Sequence, residues 1–230
     1  MSVQFNPSIA VGGLVLHWDP ANTKCYPRSG TTTTDMSTSA LTGTLTNTPT
    51  FSSSNQGYFA FNGLTQYVSF GNNKIAEQQD KSCCAWIYRS ASGVISIVDK
   101  DYDNGGVSYG GWGFWVYSSN KLALWVHSNK DLIDTGTAIA LNTWVHASFV
   151  YNSTTKSVTF YYNGVSNSTV TDATIVEQAS DTSPLSIGSM RNVSQGFWNG
   201  NIASVLVYNR QLSAAEVLGN FNATRGRFGV

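Results

Sequence analysis

Charged residues are scarce in this chain, and their scarcity excludes several classes of function. Only 11% of the 230 residues are charged, against roughly 25% in an average soluble domain. The 13 basic and 13 acidic side chains give a formal net charge of zero, so the chain has no electrostatic footprint for DNA, RNA or an anionic membrane. We therefore expect no nucleic-acid partner and no membrane partner, with solubility supplied by Ser, Thr, Asn and Gly.

Long hydrophobic runs and paired cysteines are also missing. No apolar run approaches the roughly 20 residues that cross a bilayer, and the first seven residues lack the basic and apolar segments of a signal peptide. The three cysteines are Cys25, Cys83 and Cys84. An odd count without a signal peptide favours free thiols in a chain made in a reducing cytoplasm. Cys83 and Cys84 are neighbours in a strand pattern and should point to opposite faces.

The sequence offers no pairing of groups that would support catalysis. Glycoside hydrolysis needs two carboxylates facing each other across the bond, whereas the three glutamates are scattered. The three histidines lie in strand patterns without a nucleophile motif beside them, and no C-x-x-C or H-x-H spacing for zinc occurs. These residues are Glu77, Glu177, Glu216, His17, His127 and His146. The sequence predicts a protein that is not an enzyme.

Between Gly13 and Asn209 the chain consists of short strand patterns divided by Gly, Asn, Ser and Thr. Asn163-Gly164 is the strongest hairpin signal, because a type I′ turn needs positive φ at both central positions. Residues 28–56 are poor in large apolar side chains, so we expect a long surface excursion with little regular structure. No βαβ rhythm is present, and the pattern predicts two antiparallel sheets packed face to face.

One short helix is predicted near the C-terminus. Ser213 and Glu216 have the spacing of a capping box, and Leu212 and Val217 have that of a hydrophobic staple. The predicted fold class is therefore all-β, a two-sheet antiparallel β-sandwich followed by this helix. The expected organisation is an N-terminal extension (1–12), the sandwich (13–222) and a C-terminal tail (223–230).

Several stretches in this order resemble the motifs of laminin-G-like (concanavalin A-like) jelly-roll domains. The closing stretch, from Tyr208-Asn209-Arg210 to Glu216, resembles the strand-to-helix ending of that family. The other matching stretches are Phe59–Gly63 with Tyr67-Val68, Ser82–Trp86, Trp144–Tyr151, Val158–Gly164 and Leu185–Gly188. The resemblance implies the concanavalin A-like/laminin G-like jelly roll.

Two further regions resemble the versions of this domain found in structural proteins of tailed bacteriophages, including cyanophages. They are the opening Gly13–Asn22, with Tyr26–Thr31 and Gly43–Asn47, and the ending Asn220–Phe228. This resemblance implies a non-enzymatic virion surface protein, first of all a capsid decoration or cement protein. Such a protein would be made in the host cytoplasm and held in many copies, or as a homo-oligomer, on the particle. Its partners would be capsid or other virion proteins and host surface glycans. The alternative function is a carbohydrate-binding adhesin or tail-associated receptor-binding module, in a calcium-dependent or calcium-independent form.

Alternating aspartates form the candidate metal site. Asp99, Asp101 and Asp103 could direct carboxylate oxygens to one side of a loop, as Ca²⁺ requires. The loop begins like an EF-hand, but Gly110 stands where the bidentate Glu belongs. A solvated acidic loop is the alternative and is favoured by the missing ligand. We expect no required cofactor, with Ca²⁺ as the candidate ion.

The candidate glycan site lies in the same region. Sugar rings stack on exposed aromatic faces, and Tyr109 and Trp112 sit among glycines that would hold their rings clear of the backbone. Asp101 and Asn104 would add polar contacts. Burial in the core is the alternative for Trp112, and it is the expectation for four other tryptophans, Trp86, Trp115, Trp125 and Trp144.

The candidate docking residues are Arg225, Arg227 and Phe228 in the C-terminal tail. Two guanidiniums and an aromatic ring could engage a partner subunit on a particle. A frayed terminus without a function is the alternative.

Overall fold

The computed structural model of the chain describes residues 7–73, 75–77, 79–101, 103–104, 107–108, 110–126, 130–177, 183–190 and 193–230. For residues 103, 104, 107 and 108 it describes the backbone alone.

Two eight-stranded sheets, called sheet A and sheet B, make up the molecule, and every strand pair in them is antiparallel. In spatial order, sheet A contains β16 (Val165–Thr171), β15 (Ser157–Tyr162), β14 (Trp144–Asn152), β7 (Lys81–Arg89), β18 (Asn199–Tyr208), β5 (Tyr58–Asn62) and β4 (Thr50–Ser52), with β1 (Leu14–Trp18) paired to the second half of β18. Sheet B contains β13 (Lys130–Ile133), β12 (Leu122–Val126), β11 (Trp112–Val116), β8 (Ile95–Asp99), β17 (Pro184–Ile187), β6 (Tyr67–Asn72), β3 (Thr42–Thr46) and β2 (Thr32–Thr34).

The remaining regular elements are short. They are a two-stranded ladder of β9 (Asp103–Asn104) and β10 (Val107–Ser108), the helix α1 (Ala214–Thr224), and 3₁₀ turns at Ser54–Gln56 and Arg225–Arg227. No helix among the described residues has the length and apolar character that a membrane crossing needs.

The main core lies between the two sheets, built by alternate side chains of each strand. Phe114 of sheet B meets Phe149 of sheet A with ring centroids 4.9 Å apart, and Trp18 stacks on Phe59 at 5.9 Å. All four rings are fully buried. The prediction of an all-β sandwich with one short C-terminal helix is confirmed.

A second, smaller core lies on the outer face of sheet A, where α1 packs. Cys83 points into the main core and Cys84 into the layer beneath α1, as expected for strand neighbours. Leu212 and Val217 are buried in that same layer. The predicted capping box is present, since Ser213 Oγ accepts from the Glu216 N–H at 3.2 Å and the Glu216 carboxylate accepts from the Ser213 N–H at 2.9 Å. Sheet A is thus covered on both faces over part of its area.

The Asn163-Gly164 hairpin is also confirmed. It joins β15 to β16, and both residues have positive φ, 49° and 79°. Residues 28–56, in contrast, contain more regular structure than the little that the sequence predicts, since β2, β3 and β4 lie within them. Threonine suits these strands because it favours extended backbone and one face of each strand points to solvent. Thr33 is buried, and its hydroxyl oxygen is satisfied by a hydrogen bond accepted from Trp18 Nε1 at 3.0 Å.

Both terminal segments are bound to the sandwich. In the N-terminal segment, Ala10 donates its N–H to Asn220 Oδ1 at 2.8 Å and accepts from the Tyr208 hydroxyl at 2.9 Å. Helix α1 continues to Thr224, past the expected sandwich boundary at 222, and the residues after it are packed as described below.

Candidate functional site

Trp112 lies in the main core and not on the surface. Its side chain is 1% exposed, its ring meets Phe149 edge-on at 6.1 Å, and its Nε1 donates to the Ile75 carbonyl oxygen at 3.2 Å. The expectation of an exposed stacking ring at this position is corrected, because β11 alternates and places Trp112 on the face toward sheet A. Trp115 points the opposite way and stacks on Trp125 at 5.9 Å, beneath Met190.

Within the candidate metal site, the Asp99 carboxylate is used in hydrogen bonds to the chain itself. Asp99 accepts from Trp115 Nε1 at 2.8 Å and from the Asp101 N–H at 3.0 Å, and both aspartates are 1% exposed. Tyr109 and the side chains of Asp103 and Asn104 lie outside the described residues. Within the described part of the chain, no three His, Cys, Asp or Glu side chains converge as metal ligands would.

The three glutamates each face a basic side chain. Glu216 forms a two-bond pair with Arg210 (2.6 and 3.0 Å), and Arg210 holds the pKa of Glu216 at about 2. Glu177 lies 2.7 Å from Lys156 Nζ, and Glu77 lies 3.1 Å from Lys100 Nζ. None of these ion pairs resembles two acids placed across a scissile bond.

The C-terminal segment is bound to an early part of the chain through Arg227. Arg227 Nη1 forms an ion pair with Asp19 at 2.7 Å, and its Nε and Nη2 donate to the carbonyl oxygens of Asn55 and Gly57. Asn55 Nδ2 returns a hydrogen bond to the Arg227 carbonyl at 2.6 Å. We call Asp19, Asn55, Gly57 and Arg227 the terminal clasp. It joins the opening stretch of the chain, at Asp19, to the C-terminal segment, at Arg227.

Phe228 is fixed by the same arrangement. Its ring is 8% exposed, stacks on Trp86 at 4.1 Å and contacts Trp144 at 4.7 Å. The alternative of a frayed terminus is therefore wrong, because Arg227 and Phe228 are bound to their own sandwich, whereas the docking role of these residues stays a prediction. Of the three predicted docking residues, Arg225 alone is exposed.

An aromatic surface lies beside Phe228 on the outer face of sheet A, where α1 does not reach. Tyr58, Tyr88 and Trp144 are all partly exposed. The Trp144 ring centroid lies 5.4 Å from that of Tyr58 and 5.7 Å from that of Tyr88. We call these three residues the aromatic platform. Such clustering of partly exposed aromatic rings is typical of binding surfaces.

Two platform residues, Trp144 and Tyr88, belong to a row of side chains that crosses five strands, while Tyr58 lies beside this row and pairs with Ser52. Trp144 (β14) pairs with Tyr88 (β7), Tyr88 with Asn201 (β18), Asn201 with Ala60 (β5), and Ala60 with Thr50 (β4). Residues paired in this way share one face of a sheet. We call this set the platform row. It has aromatic rings at one end, an amide and a small alanine in the middle, and a hydroxyl at the other end.

The polar atoms of the platform, and of Asn201 beside it in the platform row, are available to a ligand. Within the described residues, the Tyr58 and Tyr88 hydroxyls, the Trp144 indole N–H and the Asn201 amide make no hydrogen bond to the chain, and none is a buried unpaired group. They are therefore exposed to solvent. The platform combines apolar ring surface with free donors and acceptors, which is the composition of a binding site for polar ring compounds.

Sequence reasoning missed this site because it assigned Trp144 to the core. Trp86 and Trp125 are buried as expected, at 0% and 3% exposed, whereas Trp144 is partly exposed. No signal in the sequence separates Trp144 from the buried tryptophans, because its pairing with Tyr88 on the neighbouring strand is known only from the structure.

A comparison with protein families identifies the fold. Residues 61–218 match a laminin G model of the concanavalin A-like lectin/glucanases superfamily. The match covers more than half of the chain, which therefore belongs to this superfamily. No curated protein sequence matches the chain significantly.

Solved structures share the fold at low sequence identity. Trypanosoma rangeli sialidase in complex with sialic acid has a TM-score of 0.66 at 14% identity, over 96% of this chain and 34% of the sialidase. The binding domain of Paraclostridial Mosquitocidal Protein 1 has a TM-score of 0.68 at 14% identity, over 92% of this chain and 52% of that one. This chain thus spans about a third and about half of these two proteins.

A third structure corresponds to this chain over nearly its whole length. Domain 4 of AbnA, a GH43 extracellular arabinanase from Geobacillus stearothermophilus, was solved in complex with arabinotriose. The TM-score is 0.66 at 15% identity, over 89% of this chain and 96% of the domain.

Proposed function

We propose that this chain is a non-catalytic carbohydrate-binding module that holds its ligand on the aromatic platform. The observation that carries the proposal is the cluster of Tyr58, Tyr88 and Trp144, partly exposed with free polar atoms on the outer face of sheet A. Sugar rings present apolar C–H faces and hydroxyl edges. The aromatic rings of the platform can stack on the C–H faces, and the Asn201 amide can form hydrogen bonds with the hydroxyl edges.

The comparisons support a carbohydrate ligand in general terms. The sialidase is described with sialic acid and the arabinanase domain with arabinotriose. Domain 4 supports a binding role most directly, because this fold accounts for nearly the whole of that domain and the domain holds a trisaccharide. The ion-paired state of Glu77, Glu177 and Glu216 supports binding without hydrolysis.

The proposed module needs no cofactor for the platform, since the contacts it offers are rings, hydroxyls and an amide. The alternative binding region at 99–115, with Asp99, Asp101 and Asp103 as candidate calcium ligands and Tyr109 as a candidate stacking ring, is a separate proposal. It predicts that glycan binding is lost when Ca²⁺ is chelated, whereas binding on the platform should be unaffected.

The test is to fill the platform row and to compare the result with a matched change on the other sheet. Ala60→Trp places a large ring in the middle of the row, while Thr44→Trp adds the same ring at an exposed position on β3 of sheet B. Binding to a glycan array, with and without Ca²⁺, should fall at least tenfold for Ala60→Trp and stay unchanged for Thr44→Trp. Equal binding by the two variants would exclude the platform.

We further propose that the module is carried on the surface of a phage particle, as a capsid decoration protein or as a tail-associated receptor-binding module. The supporting observation is the terminal clasp, in which the two regions resembling phage structural proteins form one unit through Asp19 and Arg227. Virion proteins would be the partners, with Arg225 as an exposed contact. Many copies on one particle would compensate for a weak single site by avidity.

The copy number of the chain in purified particles tests this second proposal. Quantitative mass spectrometry should give a number comparable to that of the major capsid protein for a decoration protein. A few copies per particle would indicate a tail location, and complete absence from particles would contradict the virion role while leaving the carbohydrate-binding proposal intact.

A further inference from the structure

The shape of the platform row limits the kind of glycan it can hold. The row crosses five neighbouring strands from Trp144 to Thr50, which at about 4.8 Å per strand gives a length of about 19 Å. At one end the row stops at the exposed Thr50 on β4, the edge strand of sheet A, and at the other end Trp144 is partly exposed. The row is therefore an extended strip of side chains that is open at its Thr50 end.

Two cavities lined by described residues lie away from the platform row. One of about 280 Å³ is lined by residues of the 137–145 and 162–167 segments, and one of about 620 Å³ lies beside His17 and Met36. No residue of the platform row lines either of them. Capture of a single terminal sugar normally uses an enclosing pocket, whereas a strip of partly exposed side chains gains its affinity from contacts spread along a longer ligand.

The platform row carries no charged side chain. Two arginines described near it are engaged within the chain, since Arg227 is paired with Asp19 and Arg28 donates to the carbonyl oxygens of Pro20 and Ala21. The exposed Arg225 lies over the Phe221 ring, 5.8 Å from the centroid. The row itself therefore offers no guanidinium for the two-pronged hydrogen bonds that recognition of a carboxylate or sulfate favours.

From these three observations we infer that the platform row binds an internal stretch of a linear, uncharged polysaccharide that lies across the strands. This inference rests on the proposed carbohydrate-binding function and specifies its ligand class. Trp144 and Tyr88 stack against successive rings, Asn201 bonds their hydroxyls, and the small Ala60 leaves room for the chain to pass. Affinity rises with ligand length until the row is filled and depends little on salt.

Isothermal titration with oligosaccharides of increasing length tests the inference. The probes are neutral arabino-, xylo- and β-gluco-oligosaccharides of one to six residues, with oligogalacturonates of the same lengths as the acidic counterpart. At least one neutral series should bind about tenfold more tightly at four residues than at one. That affinity should change less than about twofold between roughly 0.05 and 0.5 M NaCl, since no exposed ion pair is formed.

Three results would overturn the inference. They are a monosaccharide that binds as tightly as the tetramer, a preference for the oligogalacturonates that disappears in salt, and no binding by any neutral series. The Ala60→Trp variant distinguishes a wrong ligand class from a wrong binding site. If it abolishes binding of a monosaccharide or an acidic chain, the platform remains the binding site and only the ligand class is wrong. If it changes no binding that the wild type shows, the platform itself is excluded.

Discussion

Arg227 and Asp19 lie 208 positions apart in sequence and form an ion pair of 2.7 Å, with side chains 8% and 16% exposed. Because Arg227 also donates to two carbonyl oxygens, its guanidinium replaces most of the hydrogen bonds that it would make to water. The end of the chain is therefore part of the fold.

Replacing Arg227 with Met should lower the free energy of unfolding by about 2–3 kcal/mol, because Asp19 and the carbonyl groups of Asn55 and Gly57 lose their common donor. Urea denaturation measures the loss. Arg225→Met is the matched control, and at this exposed position we expect a change within about 0.5 kcal/mol. Equal effects of the two changes would mean that the clasp contributes nothing specific.

Phe228→Ala should cost about 3 kcal/mol, since the ring is 8% exposed and fills the space between Trp86 and Trp144. It should also change the accessibility of Trp144, which rests on that ring. We expect stronger quenching of tryptophan fluorescence by acrylamide and weaker glycan binding under conditions where the variant is still folded. Unchanged quenching in a folded variant would show that Phe228 does not position the platform.

His146 should make the protein less stable as the pH falls below about 6.5. Burial between Trp86 and Phe221 lowers its pKa to about 3, against 6.5 in the unfolded chain. Between these values only the unfolded chain binds the proton. The free energy of unfolding should therefore decrease with falling pH by up to about 1.4 kcal/mol per pH unit.

The contribution of His146 is isolated by comparing pH series of urea denaturation for the wild type and His146→Gln. The variant should lose a large part of the slope between pH 6 and 4. His17, whose pKa is also lowered by burial, supplies a second slope that His17→Gln removes separately. A variant with the wild-type slope would show that His146 is not the group that titrates.

Gly113→Ala should destabilise the protein by about 1–3 kcal/mol through overpacking. An added Cβ would collide with Trp115 Nε1 and lie 2.5 Å from Asp99 Oδ2, and these two atoms are held by their own hydrogen bond of 2.8 Å. Gly226→Ala is the control, because a Cβ there has no neighbour within 4 Å. Thermal unfolding of the two variants gives the comparison, and equal midpoints would refute the clash.

The sandwich, the hairpin at Asn163-Gly164 and the capping box at Ser213 and Glu216 could be predicted because each depends on local pattern. Strand alternation predicted two faces for each strand, and Cys83 and Cys84 follow it. It could not predict which part of the outer face is covered. That depends on where the helix packs, which is a tertiary property.

The size of α1 explains why the prediction failed at Trp144. Its 11 residues extend about 16 Å, while the nine residues of β7 extend about 30 Å. Helix α1 and Phe228 cover Cys84 and Trp86, but Tyr88 and its neighbour Trp144 remain near the surface. A core tryptophan and a platform tryptophan have the same sequence pattern, and only the length of the covering element distinguishes them.

The adjacent thiols Cys83 and Cys84 lie in two different layers, and both are unpaired and buried. A thiol-specific reagent added to the native protein should therefore modify them by different routes. Cys84 becomes reactive when α1 lifts from sheet A, whereas Cys83 becomes reactive only when the two sheets separate. The modification rate of Cys84 therefore reports undocking of the helix, and that of Cys83 reports separation of the two sheets.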